Sequence, residues 1–382
     1  MKKHLRATLL ALGLACGLAA WFLAPSSAPR RPSHVLGVIG NFKGKNAQVG
    51  VEAFNAIKLA YDEYKTSHPD GFDLSILPVD DSWEPSKTLP AYLSCADKVD
   101  LLIALTGSTS FMLIYDEVLK RPSTLHAILG PTTTLLSGKD DNVVRNICDM
   151  EKEQQAIAEF AATRNIERLL IVTETEFNAQ YTEPAARFFQ QYARIPHVDV
   201  ASFSGNLMDT DTAKELLRTR RYDAMYALVG GMPRETAILI QQARSIQKDI
   251  PVFITPWARG LIFEQALGHE INGIFMPCQL KLFDNPRIDR YMAAYQKKFG
   301  AESREYFGPL MYDLAGSVFE SLHRAESPAT ASLLPVMLAG QFEGTMGAVR
   351  YDAFGDADSQ MYFYEMTNGT WRSMTSEAGA PP

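Results

Sequence analysis

The chain has no cluster of lysine and arginine, no run of like charge and no low-complexity tract. A nucleic-acid partner is therefore not expected, because neutralising phosphates needs grouped cations. Seven histidines are scattered along the chain, and none has a metal-type partner at helical spacing. His269-Glu270 opens like a zinc-protease motif, but residue 273 is glycine. No Gly-x-Ser-x-Gly elbow occurs, so a serine hydrolase has no anchor. Gly44-Lys45 is followed by Asn46, and Ile39 stands where a phosphate loop needs its first glycine. Gly37 and Gly40 likewise miss the spacing of a dinucleotide fingerprint. Asp80-Asp81 closes a strand and reads as a solvated or capping pair before it reads as a cation site. The expectation is a protein that is not an enzyme and carries neither cofactor nor metal.

Cysteine is scarce as well. Of four, Cys16 lies in an apolar N-terminal run, leaving Cys95, Cys148 and Cys278. Three thiols permit one bridge and an orphan, although small buried apolar residues are the plainer reading.

What the chain does have is a globular composition, 46% hydrophobic and 21% charged with a net charge of −7. Its 382 residues suffice for two domains with separate cores. Lys2, Lys3 and Arg6 precede the uncharged run Ala7–Ala24, which as a helix would span about 27 Å. The proline-rich spacer Pro25–Pro32 follows. That order predicts export, to a periplasmic or cell-surface location, by an uncleaved anchor, a cleaved signal or a lipidated Cys16. Residues 1–33 are thus set aside as leader and linker, with membrane contact through Ala7–Ala24 if it is retained.

From His34 onward, apolar β-branched runs alternate with segments of helical period. The strand His34–Gly40 leads through a glycine-bearing loop into an amphipathic helix near Gly50–Ser67, where Val51, Phe54, Ile57 and Tyr61 share a face. The same unit recurs with strands Phe72–Val79, Leu101–Leu105, His126–Leu129, Arg168–Thr173, Val198–Phe203, Ala224–Val229, Val252–Thr255 and Gly273–Met276. Nearly continuous hydrophobicity in strands separated by helices predicts parallel sheets covered on both faces. The unit restarts near residue 151, so two lobes fit better than one sheet. Helices at Pro286–Phe299 and Tyr306–His323 come next, then strand-like Phe342–Tyr351 and Met361–Trp371, with Asn368-Gly369 as a hairpin turn. Open parallel sheets bind ligands at the carboxyl ends of their strands. Two such ends here are rich in hydroxyls: Thr106-Gly-Ser-Thr-Ser110 and Gly130-Pro-Thr-Thr-Thr134. Ser108, Thr109, Ser110, Thr132, Thr133 and Thr134 are accordingly candidates to hold a polar or anionic group.

These features resemble the branched-chain-amino-acid-type solute-binding proteins of ABC transporters, over nearly all of residues 34–373. Ile39–Gly50 with Val51–Ala60 is similar to the family's first loop and helix. The two hydroxyl loops sit where its ligand loops sit. Tyr312-Asp-Leu-Ala, Glu343–Asp352 and the Met361–Trp371 hairpin resemble its C-terminal end. The resemblance implies an α/β protein of the type I periplasmic binding protein fold: two Rossmann-like lobes with parallel sheets, joined by crossover strands. It divides the chain into residues 34–147 with 279–342, residues 148–278 with 343–373, and a tail, 374–382. Crossovers are implied near Asn146–Glu151, Met276–Leu280 and Phe342–Gly347.

The resemblance also implies roles. Ser108, Ser110, Thr132 and Thr134 match positions that hold a ligand carboxylate, and Tyr181 the tyrosine that reaches across from the second lobe. The chain departs from the family at three places. It has Pro256-Trp257-Ala258 where members binding amino acids carry an acid for the ammonium. It has Gly230-Gly231-Met232-Pro233 where an aromatic is frequent, and Val49 where tyrosine is common. The expected solute is thus a carboxylate or polar molecule with an apolar or aromatic body, suited to Phe42, Met232 and Trp257. Partners implied are the permease subunits of an ABC transporter; the alternative is a membrane-held ligand sensor of the same fold. Because Cys148 and Cys278 both fall on implied crossovers, a disulfide between them is a further expectation.

Overall fold

The computed structural model describes residues 33–374 apart from 45, 205–209, 269, 270 and 358. Ala7–Ala24, Cys16, His269-Glu270 and residues 375–382 lie outside the described residues, as do the expectations placed on them. Among the described residues no helix is long and apolar enough to cross a membrane.

Fourteen strands are described: β1 (Ser33–Gly40), β2 (Asp73–Asp80), β3 (Leu101–Leu105), β4 (Leu125–Leu129), β5 (Val143–Arg145), β6 (Arg168–Glu174), β7 (His197–Phe203), β8 (Ala224–Leu228), β9 (Val252–Ile254), β10 (Ile274–Cys278), β11 (Phe342–Gly344), β12 (Gly347–Val349), β13 (Tyr362–Thr367) and β14 (Thr370–Ser373). The first sheet has the order β2-β1-β3-β4-β5 and is parallel throughout. The second has the order β14-β13-β10-β9-β8-β6-β7, parallel from β10 to β7 and antiparallel at β13 and β14. Central strands such as Leu-Leu-Ile-Ala-Leu of β3 and Ala-Met-Tyr-Ala-Leu of β8 are buried at every position. Edge strands β2 and β7 are only part-buried, and Pro78 is tolerated in β2 because it lies at an edge. The chain is an α/β protein of two lobes.

The first lobe is not continuous in sequence. Helix Ala47–Ser67 packs chiefly on helix Phe307–Arg324, joined by rings of Tyr61, Tyr64, Phe72 and Phe319. Glu52 ties the same region together, accepting from the Ser303 hydroxyl and the N–H groups of Arg304 and Glu305.

Two expectations are corrected. Phe342–Gly347 is no crossover: β11 pairs with β12, and the turn between them is captured by buried Asp313 of helix Phe307–Arg324. That carboxylate accepts from the Thr345 N–H at 2.7 Å and its hydroxyl at 2.9 Å. The bridge Arg145–Asp356 then holds the chain to β5 of the first sheet, within a local turn closed by Tyr351–Ala357, so the passage to β13 comes after Ala357. The disulfide is also absent, since Cys95, Cys148 and Cys278 are all free and buried. Cys278 Sγ accepts the Leu280 N–H, while the Cys148 thiol lies beside Gln279 and Ser359. Burial pushes both thiols up to about 12. The hairpin turn stands as expected: Thr367 pairs with Thr370, and Asn368 and Gly369 both have positive φ.

Candidate functional site

The carboxyl ends of β3 and β4 in the first lobe face those of β6, β8 and β9 in the second. Between them lies a cavity of about 20 Å³ lined by Trp83, Thr106, Gly107, Ser110, Gly130, Phe177, Asn178, Tyr181, Gly230, Gly231, Trp257 and Phe307. A space that size takes about one water molecule. None of these lining residues is acidic, basic or a histidine.

The first-lobe floor is built from the two hydroxyl loops. β3 runs into Thr106-Gly107, and helix Ser108–Leu119 begins at once, its N-cap Gly107 offering no side-chain cap and its positive dipole end directed toward the gap. Ser108 Oγ accepts the Thr132 N–H at 3.2 Å and so binds one loop to the other. Gly130 makes their close approach feasible: its φ is +111°, and a Cβ there would lie 2.2 Å from the Thr106 carbonyl oxygen. Gly130→Ala is expected to cost about 3 kcal/mol, combining backbone strain with that clash. Urea unfolding of the variant checks this, and an unchanged midpoint would mean the loops separate freely.

The second lobe answers with the N-terminus of helix Ala179–Ala193. Glu174, at the end of β6, accepts from the N–H groups of Glu176, Phe177 and Asn178 and fixes the turn. Asn178 Oδ1 then accepts the Thr109 N–H at 3.2 Å, and Thr109 Oγ1 accepts the Gln180 N–H at 3.1 Å. These two bonds join the lobes beside the cavity.

Aromatic rings form the remaining wall. Trp257 stacks on Phe307, with centroids 5.5 Å apart and 21° between planes. It meets Tyr181 and Tyr306 edge-on, and Trp83 meets Phe307 edge-on at 5.7 Å. Behind the wall the Tyr181 hydroxyl donates to both oxygens of Glu153 at 3.2 Å. Glu153 has no cation paired with it among the described residues, and burial pushes its carboxyl up to about 8 against the pull of that bond.

Of the residues singled out in the sequence, Ser110, Tyr181 and Trp257 line the cavity. Ser108 and Thr109 sit at its edge, in the loop-to-loop and lobe-to-lobe bonds above. Thr132 is buried beneath, Thr133 Oγ1 accepts the Leu135 N–H, and Thr134 starts the short 3-10 turn Thr134–Leu136. Phe42 packs edge-on against Phe54, and Met232 is half-buried against the core ahead of helix Pro233–Ile246; neither lines the cavity. Trp83, Phe177, Asn178 and Phe307 escape the sequence reading. Three of them follow strand ends, so the carboxyl-end rule applied to every strand would have reached Trp83, Phe177 and Asn178. Asp80 and Asp81 are the expected capping pair: Asp80 accepts from the Phe42 and Lys43 N–H groups, Asp81 from that of Trp83. No cluster suited to a metal ion occurs among the described residues.

Comparison with solved structures places this architecture. The leucine-binding protein LivK of Thermotoga maritima aligns with a TM-score of 0.79 at 20% identity, covering 89% of this chain and 97% of that one. The branched-chain amino acid binding protein LivJ of Streptococcus pneumoniae, in complex with isoleucine, gives 0.78 at 19%, covering 90% and 98%. A solute-binding protein of an ABC transporter from R. palustris, in complex with benzoate, gives 0.74 at 17%, covering 91% and 97%. Comparison with curated protein sequences finds no significant match. The family model described as periplasmic binding protein matches residues 34–370. With two lobes, facing strand ends and that match over nearly the whole described chain, this protein belongs to the periplasmic binding protein family and is a solute-binding protein, not an enzyme.

Proposed function

We propose that this protein captures a small carboxylate-bearing solute with an apolar or aromatic body and hands it to the permease of an ABC transporter. The observation that carries this reading is the cavity lining, which combines a helix start with aromatic faces and contains no charged side chain. A carboxylate suits the N–H groups and dipole of helix Ser108–Leu119. The faces of Trp257, Tyr181 and Phe307 suit an apolar body. A free amino acid would bring its ammonium against a wall without a carboxylate, at a cost of several kcal/mol. Entry of any solute larger than water requires the lobes to separate, which means breaking the two bonds at Thr109.

Benzoate, held by the R. palustris relative, has the chemistry proposed here; leucine and isoleucine, named for other relatives, add an ammonium that this wall leaves unpaired. Isothermal titration is expected to give heat with benzoate and none with leucine, isoleucine or valine. A thermal shift should agree, since solute at 100 times its Kd adds about 2.7 kcal/mol of stability. Submicromolar binding of any branched-chain amino acid would overturn the proposal.

A further inference from the structure

The turn that follows β2 bears two local penalties on one side chain. Ser82 and Trp83 both adopt left-handed backbone, with φ of 54° and 57°. For residues with a Cβ this costs on the order of 1–2 kcal/mol each. The turn is nevertheless firmly held. Asp81 accepts the Trp83 N–H at 2.9 Å and the Thr88 hydroxyl at 3.1 Å, Asp80 accepts the Ser82 hydroxyl at 2.8 Å, and the Glu84 N–H donates to the Asp81 carbonyl. Its product is a tryptophan turned into the cavity wall, 6% exposed.

The second penalty is electrostatic. The Trp83 indole N–H is buried without an acceptor among the described residues. Leaving such a donor unpaired costs about 1–3 kcal/mol. Trp257 differs, because its indole N–H lies beside the Tyr181 hydroxyl, though outside good bonding geometry. Packing alone accounts for neither feature of Trp83, since a phenylalanine would meet Phe307 without stranding a donor. Asp81, which fixes Trp83, also lies beside the Thr106 hydroxyl, and Trp83 lines the same cavity as Thr106, Gly107 and Ser110 of the loop that starts helix Ser108–Leu119.

We infer that Trp83 is a specificity-determining solute contact: its indole N–H donates to one carboxylate oxygen while the start of helix Ser108–Leu119 holds the other. This rests on the carboxylate reading of the cleft. Two separate donors distinguish a carboxylate from an alcohol or a lone carbonyl, which would leave one of them unpaired.

The test is a benzoate titration of protein carrying 15N-labelled tryptophan, with the four indole N–H resonances assigned from W21F, W83F, W257F and W371F spectra. Calorimetry of W83F with benzoate runs beside it. The expected result is a downfield shift of the Trp83 indole proton on binding and at least a tenfold weaker Kd for W83F. If benzoate moves the Trp257 resonance and leaves that of Trp83 in place, the Trp83 assignment is wrong and the cleft reading stands. W83F binding benzoate within twofold of wild type would overturn the assignment in the same way. If benzoate produces neither shift nor heat with wild type, the aromatic carboxylate reading fails and takes this assignment with it. Should W83F not fold, W21F, W257F and W371F spectra still identify the Trp83 resonance by elimination.

Discussion

Arg145→Met should unfold at a urea concentration corresponding to a loss of about 3–5 kcal/mol, the usual consequence of removing one partner of a buried ion pair. The Arg145 side chain is 1% exposed. Its Nε and Nη2 bond Asp356, its Nη1 donates to the carbonyls of Pro131 and Thr133, and Nη2 reaches the Ser137 hydroxyl. Methionine matches much of the volume and supplies none of the donors. Asp356 would keep a half-buried carboxylate without its cation, and burial already pushes that carboxyl up. The Pro131 and Thr133 carbonyls would also lose the guanidinium as donor. The damage should extend to the site, because Thr133 belongs to the hydroxyl loop that Arg145 anchors. A combined Arg145→Met, Asp356→Leu variant should recover part of the loss, since the stranded charge is gone. If the single variant melts like wild type, the guanidinium is not holding this edge together.

A second large effect is expected from pH. Glu153, Glu52 and Asp313 are buried carboxyls without a paired cation among the described residues, and burial raises them to about 8, 7 and 7. Each folded value lies above its unfolded one, so each group favours the fold fully below about pH 4 and loses that contribution as pH rises through its folded value. For Glu153 the rise corresponds to a ceiling of about 5 kcal/mol between pH 4.5 and pH 8. Buried His126 acts oppositely: burial lowers it to about 4, so stability falls as the medium is acidified from pH 6.5 toward 4. Three carboxyls outweigh one histidine, so the summed contribution of these four groups is expected to be greatest near pH 4 and to decline steeply toward pH 8. Glu153→Gln keeps an acceptor for the Tyr181 hydroxyl and removes the ionisation. It should flatten the decline by about 2–4 kcal/mol in urea unfolding at pH 5, 6, 7 and 8. Parallel curves for wild type and variant would show that Glu153 carries no such burden.

Much of the fold is legible because the central strands are apolar at every position and the helices between them carry a 3.6 period. The edge hairpin is legible from Asn368-Gly369, whose positive φ is a local demand. The third crossover, implied by the resemblance alone, is placed too early because the residue that pins the β11–β12 turn, Asp313, lies 32 positions away on a helix and leaves no local trace. The helix Thr330–Ala339 escapes notice, as Pro335 inside it reads as a breaker. In the site, the hydroxyl loops announce themselves, whereas Trp83 and Phe307 do not. Their place in the wall depends on a turn with unusual backbone and on a helix returning from the far end of the sequence.

That return has a temporal side. A chain emerging N-terminus first offers helix Ala47–Ser67 long before Phe307–Arg324 exists to cover it, and the Asn55–Tyr295 bond spans 240 positions. Such distant pairings make for slow maturation. The nascent first half must therefore remain incomplete through most of synthesis, a condition that suits a polypeptide threaded unfolded to its destination and assembled only on arrival.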